Sequence, residues 1–93
     1  MPKLGRSREV EVAARIREAT LKRALGARLT FAMQEAGINR AELALLTGYR
    51  ESQIADWQEG RATIYPNQVI ALCMVLDKTP NWLLNSSVGR VLH

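Results

Sequence analysis

The sequence predicts an all-α protein, and three observations carry that expectation. Ala and Leu recur through a 93-residue chain that holds only three Pro and six Gly, and both residues lose little rotamer freedom in a helix. Apolar side chains repeat every three or four positions, as in Leu21, Leu25, Leu29, Ala32, Met33 and Ala36, which is the helical period. Helix boundaries are written at short intervals by Asn39, Gly48, Gly60, Pro66 and Pro80, residue types that open or close helices. With 47% apolar residues, a chain of this length builds one compact core rather than two.

Taken in order, residues 2–8, "PKLGRSR", combine Pro, Gly and three cations with little to bury and read as a flexible arm. Ser7 is the expected N-cap of a first helical pattern holding Val10, Ala13 and Ala14. The stripe from Leu21 to Ala36 follows and ends at Gly37, a left-handed C-cap. Whether the two patterns form one helix or break near Thr20 or Gly26 is left open by the sequence. Asn39 caps a helix over "NRAELALLTG" with Leu43, Ala44 and Leu46 expected inward, and Gly48 gives it a sharp exit. "RESQIADWQEG" is a second short helix that plugs Ile54 and Trp57 into the core and stops at Gly60. Pro66 starts another, with Val69, Ile70, Leu72, Cys73 and Leu76 as its stripe. Thr79 and Pro80 start a last one over "PNWLLNSS".

Charge is distributed unevenly. Residues 1–30 hold eight basic side chains (Lys3, Arg6, Arg8, Arg15, Arg17, Lys22, Arg23, Arg28) and three acidic ones (Glu9, Glu11, Glu18), a net +5, whereas residues 31–93 hold five basic and six acidic, a net −1. A basic front end of this kind suits a polyanion. The N-terminus has no apolar run fit for a signal peptide, and the longest such run, "VIALCMVL", is far below the ~20 residues that span a bilayer. A cytoplasmic location and no membrane partner are expected. Cys73 is the single cysteine and His93 the single histidine, so neither an internal disulfide nor a metal centre is expected. Nothing in the chain suggests an enzyme or a cofactor: there is no Cys/His pairing and no Gly-rich phosphate loop. Cys73, Met33 and Met74 read as core filler, and Trp57 and Trp82 as packing residues rather than base-stacking platforms.

Two short helices joined across Gly48 outline a helix-turn-helix. The segment "NRAELALLTGYRESQIADWQEGRATIYPNQVIALCMVLDKTPNWLL" resembles the Cro/CI-type (Xre-like) helix-turn-helix regulators of phages and bacteria. The resemblance runs without a gap from about Leu25 to Leu84 and includes the Leu43–Ala44 pair, Gly48, Ile54, Gly60 and the closing "LDKTPNWLL". It implies a five-helix lambda-repressor-like domain over residues 21–86, preceded by a basic arm and helical extension over 1–20 and followed by a tail over 87–93.

The resemblance further implies that the second motif helix enters the major groove of double-stranded DNA while the first crosses the backbone. Glu51, Ser52 and Asp56 then face the groove, with Arg50, Gln53 and Ala55 beside them. Asn39 and Arg40 contact phosphate from one side, Arg61 and Thr63 from the loop that follows. The sequence departs from the family in having Arg40 where Gln is frequent, and Glu51 and Asp56 where several members present Gln or Arg. A carboxylate can accept a hydrogen bond from the cytosine amino group, provided that cations offset its repulsion by phosphate. Pairing of Arg40 with Glu51, flanking by Arg50 and Arg61, and contact of Lys3, Arg6 and Arg8 with a groove are the expected offsets.

The function so implied is a sequence-specific transcriptional regulator, a repressor of prophage or mobile-element type, acting as a homodimer on a palindromic operator. Its dimer contacts are expected around Trp82, Leu83, Leu84, Val88, Val91 and Leu92, or on the N-terminal helix. The alternative is a protein-interaction module, antitoxin-like, that presents Glu51, Asp56 and Glu59 to a basic protein partner.

Overall fold

The computed structural model describes residues 2–84, with side chains from Glu9 onward. Five helices make up the described chain: α1 (Pro2–Ala36), α2 (Arg40–Thr47), α3 (Glu51–Gln58), α4 (Pro66–Leu76) and α5 (Pro80–Leu84), with no strand among them. The all-α expectation holds. Lys3, Arg6 and Arg8 have no described side chains, and Val88, Val91 and Leu92 lie outside the described residues.

The first helix differs from the expectation. Residues 2–8 are the start of α1 rather than an arm, and Ser7 is inside the helix, not its cap. Pro2 opens the helix, where a missing N–H costs nothing because the first turn has no acceptor for it. α1 then runs unbroken through Thr20 and Gly26 for 35 residues. Thr20 lies within it and turns its hydroxyl back onto the carbonyl of Ile16 at 2.9 Å. At the far end, Gly37 is left-handed (φ 69°). Its N–H donates to Gln34 and that of Ile38 donates to Met33, which satisfies the last carbonyls of the helix.

A core of Leu29, Ala32, Met33, Leu43, Ile54, Trp57, Ile64, Val69, Leu72, Cys73, Leu76 and Leu83 sits between α1, α3 and α4, closed by α2 and α5. Trp57 is its largest member and is 1% exposed. Three residues expected inward are not. Leu46 is 60% exposed, Ile70 51% and Met74 78%. The cause is the angle of each stripe. α2 turns Leu43 inward with Ala44 and Thr47 beside it, so Leu46 falls to the side. α4 turns Val69, Leu72, Cys73 and Leu76 inward, a face from which Ile70 and Met74 are rotated by more than a quarter turn. In α1, Leu21 and Ala36 also lie at the exposed margins of the stripe.

Short caps fix the smaller helices. Asn39 Oδ1 accepts from the Glu42 N–H at 2.8 Å while Glu42 Oε1 accepts from the Asn39 N–H at 2.9 Å, a reciprocal cap that satisfies two orphan donors. Gly48, at φ 84°, closes α2 by donating to the Ala44 carbonyl. Thr79 Oγ1 accepts from the Trp82 N–H at 3.0 Å and starts α5. None of the described helices is long and apolar enough to cross a membrane.

Candidate nucleic-acid interface

α2 and α3 contain eight residues each and are joined by Gly48, Tyr49 and Arg50. The junction is held from below: Tyr49 packs edge-on against Trp57, ring centroids 5.2 Å apart and planes at 85°, a favoured aromatic geometry. Trp57 in turn donates its indole N–H to the Thr63 carbonyl at 3.2 Å. One buried ring thus ties the turn before α3 to the loop after it.

α1 braces α3 from behind. A Cβ built on Gly26 would stand 2.4 Å from the carbonyl oxygens of both Trp57 and Gln58, so the two helices cross with their backbones in contact. Beside the crossing, Thr30 Oγ1 donates to the Gly26 carbonyl at 3.0 Å and accepts from Gln58 Nε2 at 3.0 Å. Gln58 Oε1 accepts from Arg40 Nε at 2.6 Å. The chain Gly26–Thr30–Gln58–Arg40 therefore links α1, the end of α3 and the start of α2. Neither Gln58 nor the role of Gly26 was among the sequence expectations. The available signal was a glycine set between Leu25 and Leu29 on the inward face of a helix.

The expected site residues separate into three groups. Asn39 and Arg40 stand at the start of α2. Asn39 uses its side-chain oxygen for capping, which leaves its amide group as a donor. Arg40 and Glu51 both line an open groove of about 470 Å³ together with Thr30, Gln34, Asn39 and Gln58, but they do not pair. The Arg40 guanidinium is held by Gln58 and lies 4.0 Å from Glu59, so the expected Arg40–Glu51 ion pair is replaced by contacts with the end of α3. The reason is reach: Gln58 draws the guanidinium along the groove towards the C-terminal end of α3, away from its first turn.

Arg50, Glu51 and Ser52 form the exposed first turn of α3, with Gln53 half-buried beside them. Among the described residues Glu51 makes no ion pair. Its place in the first turn is favourable for a carboxylate by itself, because the helix dipole is positive there.

Asp56, Glu59 and Arg61 form the third group. Arg61 donates to Asp56 Oδ1 from Nη2 at 2.7 Å and from Nε at 3.1 Å, and to Glu59 Oε1 from Nη1. Asp56 first, then Glu59, holds the Arg61 guanidinium above its ordinary pKa. All three are solvent-accessible, so each pair contributes little stability, typically ~0–1 kcal/mol. The electrostatic effect is local. The two carboxylates nearest the end of α3 share one guanidinium, that of a residue expected to contact phosphate, which cancels one of their two charges. The loop between the helices is set by Gly60, left-handed at φ 75°, and by the Arg61 N–H donating to the Asp56 carbonyl at 2.8 Å. Thr63 is exposed, its carbonyl engaged by Trp57.

Part of the basic front end is also committed within the fold. Arg28 donates from Nε to the Trp82 carbonyl at 2.8 Å and lays its guanidinium 4.2 Å from the Trp82 ring centroid. Lys78 Nζ approaches the same ring at 4.6 Å and pairs with Glu35 at 2.5 Å. Trp82, stacked on Phe31 at 6.1 Å, is accordingly a packing residue that binds α5 to α1 through cation–π contacts. Among the described residues, no three His, Cys, Asp or Glu side chains stand together as a metal-binding group. No family model matches the chain, and no curated protein is significantly similar to it.

Proposed function

We propose that the protein is a sequence-specific DNA-binding transcriptional regulator of the Cro/CI helix-turn-helix type, a repressor acting as a homodimer on a palindromic operator. In this reading α2 and α3 are the motif, and the five helices form a lambda-repressor-like domain. The observation that carries it is the exposed first turn of α3. Arg50, Glu51 and Ser52 project from a helix whose body is clamped by Gly26, Thr30 and Trp57. A rigid short helix with a polar, unburied N-terminal turn suits major-groove entry, where N-terminal residues reach base edges.

The acidic composition of α3 is compatible with DNA on this arrangement. Arg61 pairs with Asp56 and Glu59 and cancels one of their two charges, and Glu51, which makes no ion pair among the described residues, is the carboxylate able to accept from a cytosine amino group. Asn39 and Arg40 border the groove at the start of α2, where a phosphate meets backbone N–H groups and a cation. A symmetric pair of such units reads two half-sites about 34–36 Å apart, one turn of DNA.

The second reading is a protein-interaction role through the same carboxylates. The engagement of two of them by Arg61 favours the first reading. Fluorescence anisotropy against the DNA flanking its own gene and a scrambled duplex, at two salt concentrations, tests the proposal. Tight, salt-sensitive binding to the native duplex alone is expected. Equal weak binding to both would reject it in favour of a protein partner.

A further inference from the structure

The N-terminal half of α1 carries an apolar stripe that its own core does not use. The inward face of the helix is Leu25, Leu29, Ala32 and Met33. Followed back by heptads, that face lands on Glu18 and Lys22, then on Glu11 and Arg15, all charged. This is why the front of α1 leaves the core and gives the molecule its 53 Å long axis. The apolar side chains there stand elsewhere. Val12 and Ile16, 49% and 62% exposed, share a stripe with Glu9, Ala19, Thr20 and Arg23, roughly a third of the way around the helix from the core face, while the exposed Val10 and Leu21 lie on another side. Their spacing of four, three and four from Val12 through Ile16 and Ala19 to Arg23 is that of a helix-pairing seam. On the seam itself the charge is ordered: Glu9 stands at its start and Arg23 at its end.

We propose that residues 9–23 of α1 pair antiparallel with the same segment of a second copy, Ile16 meeting Ile16 at the two-fold axis. The charge order selects both the occupant and the direction. Antiparallel pairing centred on residue 16 sets Glu9 against Arg23 of the other copy, and does so twice by symmetry. Parallel pairing sets Glu9 against Glu9 and Arg23 against Arg23. Between the ion pairs, Val12 meets Thr20, and Ala19 lets the two backbones approach closely. The pairing gives a surface to the homodimer proposed above and rests on that part of the reading, not on DNA recognition, so either can fail while the other stands.

Sedimentation velocity of the full chain over a concentration series, without DNA, tests it. The unmodified protein is expected to dimerise, and Ile16→Asp, which faces two carboxylates across the axis, to weaken the dimer ~100-fold or more. Val12, Ile16 and Thr20 lie on the exposed half of α1 away from the core, and helicity by circular dichroism checks that the variants fold. Direction is read by mild oxidation in a Cys73→Ser background. Ile16→Cys is expected to cross-link to itself, as are Val12→Cys and Thr20→Cys when mixed. Thr20→Cys alone is not, because its two copies stand about eight residues, ~12 Å, apart along the axis. A protein that is monomeric throughout, an Ile16→Asp dimer of undiminished affinity, or self-cross-linking of Thr20→Cys would each overturn the proposal.

Discussion

Gly26 of α1 lies directly against the backbone of Trp57 in α3: a methyl group at Gly26 would stand 2.4 Å from the Trp57 carbonyl oxygen. A glycine in mid-helix ordinarily costs ~0.5–1 kcal/mol against alanine, so the contact must contribute more than it costs. Gly26→Ala is therefore expected to destabilise the protein by ~1–3 kcal/mol, as overpacking does. For a chain of this size each kcal/mol lowers the melting temperature by about 4–8 °C. A thermal or urea melt checks it, and an unchanged or raised midpoint would show that the helices do not touch here.

Two left-handed positions predict shifts of opposite sign. Gly48 closes α2 at φ 84°, where a Cβ is strained, and Gly48→Ala should lower stability by ~1–2 kcal/mol. Asp77 closes α4 at φ 56° and ψ 46° without being glycine, so Asp77→Gly should raise stability by up to ~1 kcal/mol. Paired urea titrations of the two variants read both signs.

Asp56 and Arg61 bear on the proposed function. Asp56→Asn removes the strongest partner of an exposed guanidinium, leaves it paired with Glu59 alone and so makes it more available to phosphate. General DNA affinity should rise, and the slope of log affinity against log salt should steepen by about 1, the signature of one added phosphate contact. Arg61→Ala should weaken binding to all sequences alike. Anisotropy titrations at several salt concentrations distinguish these from a protein-docking face, for which DNA affinity would not respond.

Burial pushes the Cys73 thiol above its ordinary pKa. The unfolded chain, with an ordinary thiol at ~8.5, releases this proton at lower pH than the folded one. Stability from this group is thus complete below ~8.5 and is lost as pH rises towards the folded value. Denaturation midpoints between neutral and alkaline pH should fall more steeply for the unmodified protein than for Cys73→Ala. A thiol reagent should label Cys73 only after unfolding.

The helix boundaries were the most legible part of the chain, because they are set by local chemistry. Asn39, Gly48, Gly60, Pro66 and Thr79 perform the roles their residue types imply. Residues 2–8 read as an arm in the sequence because Pro and Gly weigh against a helix in isolation, whereas Pro at a first turn does not. Apolarity points Leu46, Ile70 and Met74 inward, but apolarity alone does not fix which side of a short helix meets its neighbour, and all three are exposed. The site was legible as a set of positions but not as a set of pairs. Arg40 turning to Gln58, and Arg61 to Asp56, are settled by side-chain reach across three helices, information that no local window contains.

The dimensions of 53 × 32 × 19 Å also shape how the molecule moves in water. A body nearly three times as long as it is thick tumbles slowly end over end and quickly about its long axis. The N–H vectors of α1 lie close to that axis, because helical amides point along the helix. Their magnetisation decays with the slow end-over-end motion, whereas amides of helices set across the axis sense the faster spin. Relaxation rates of backbone nitrogens should consequently sort by helix orientation, with α1 marked out as a group.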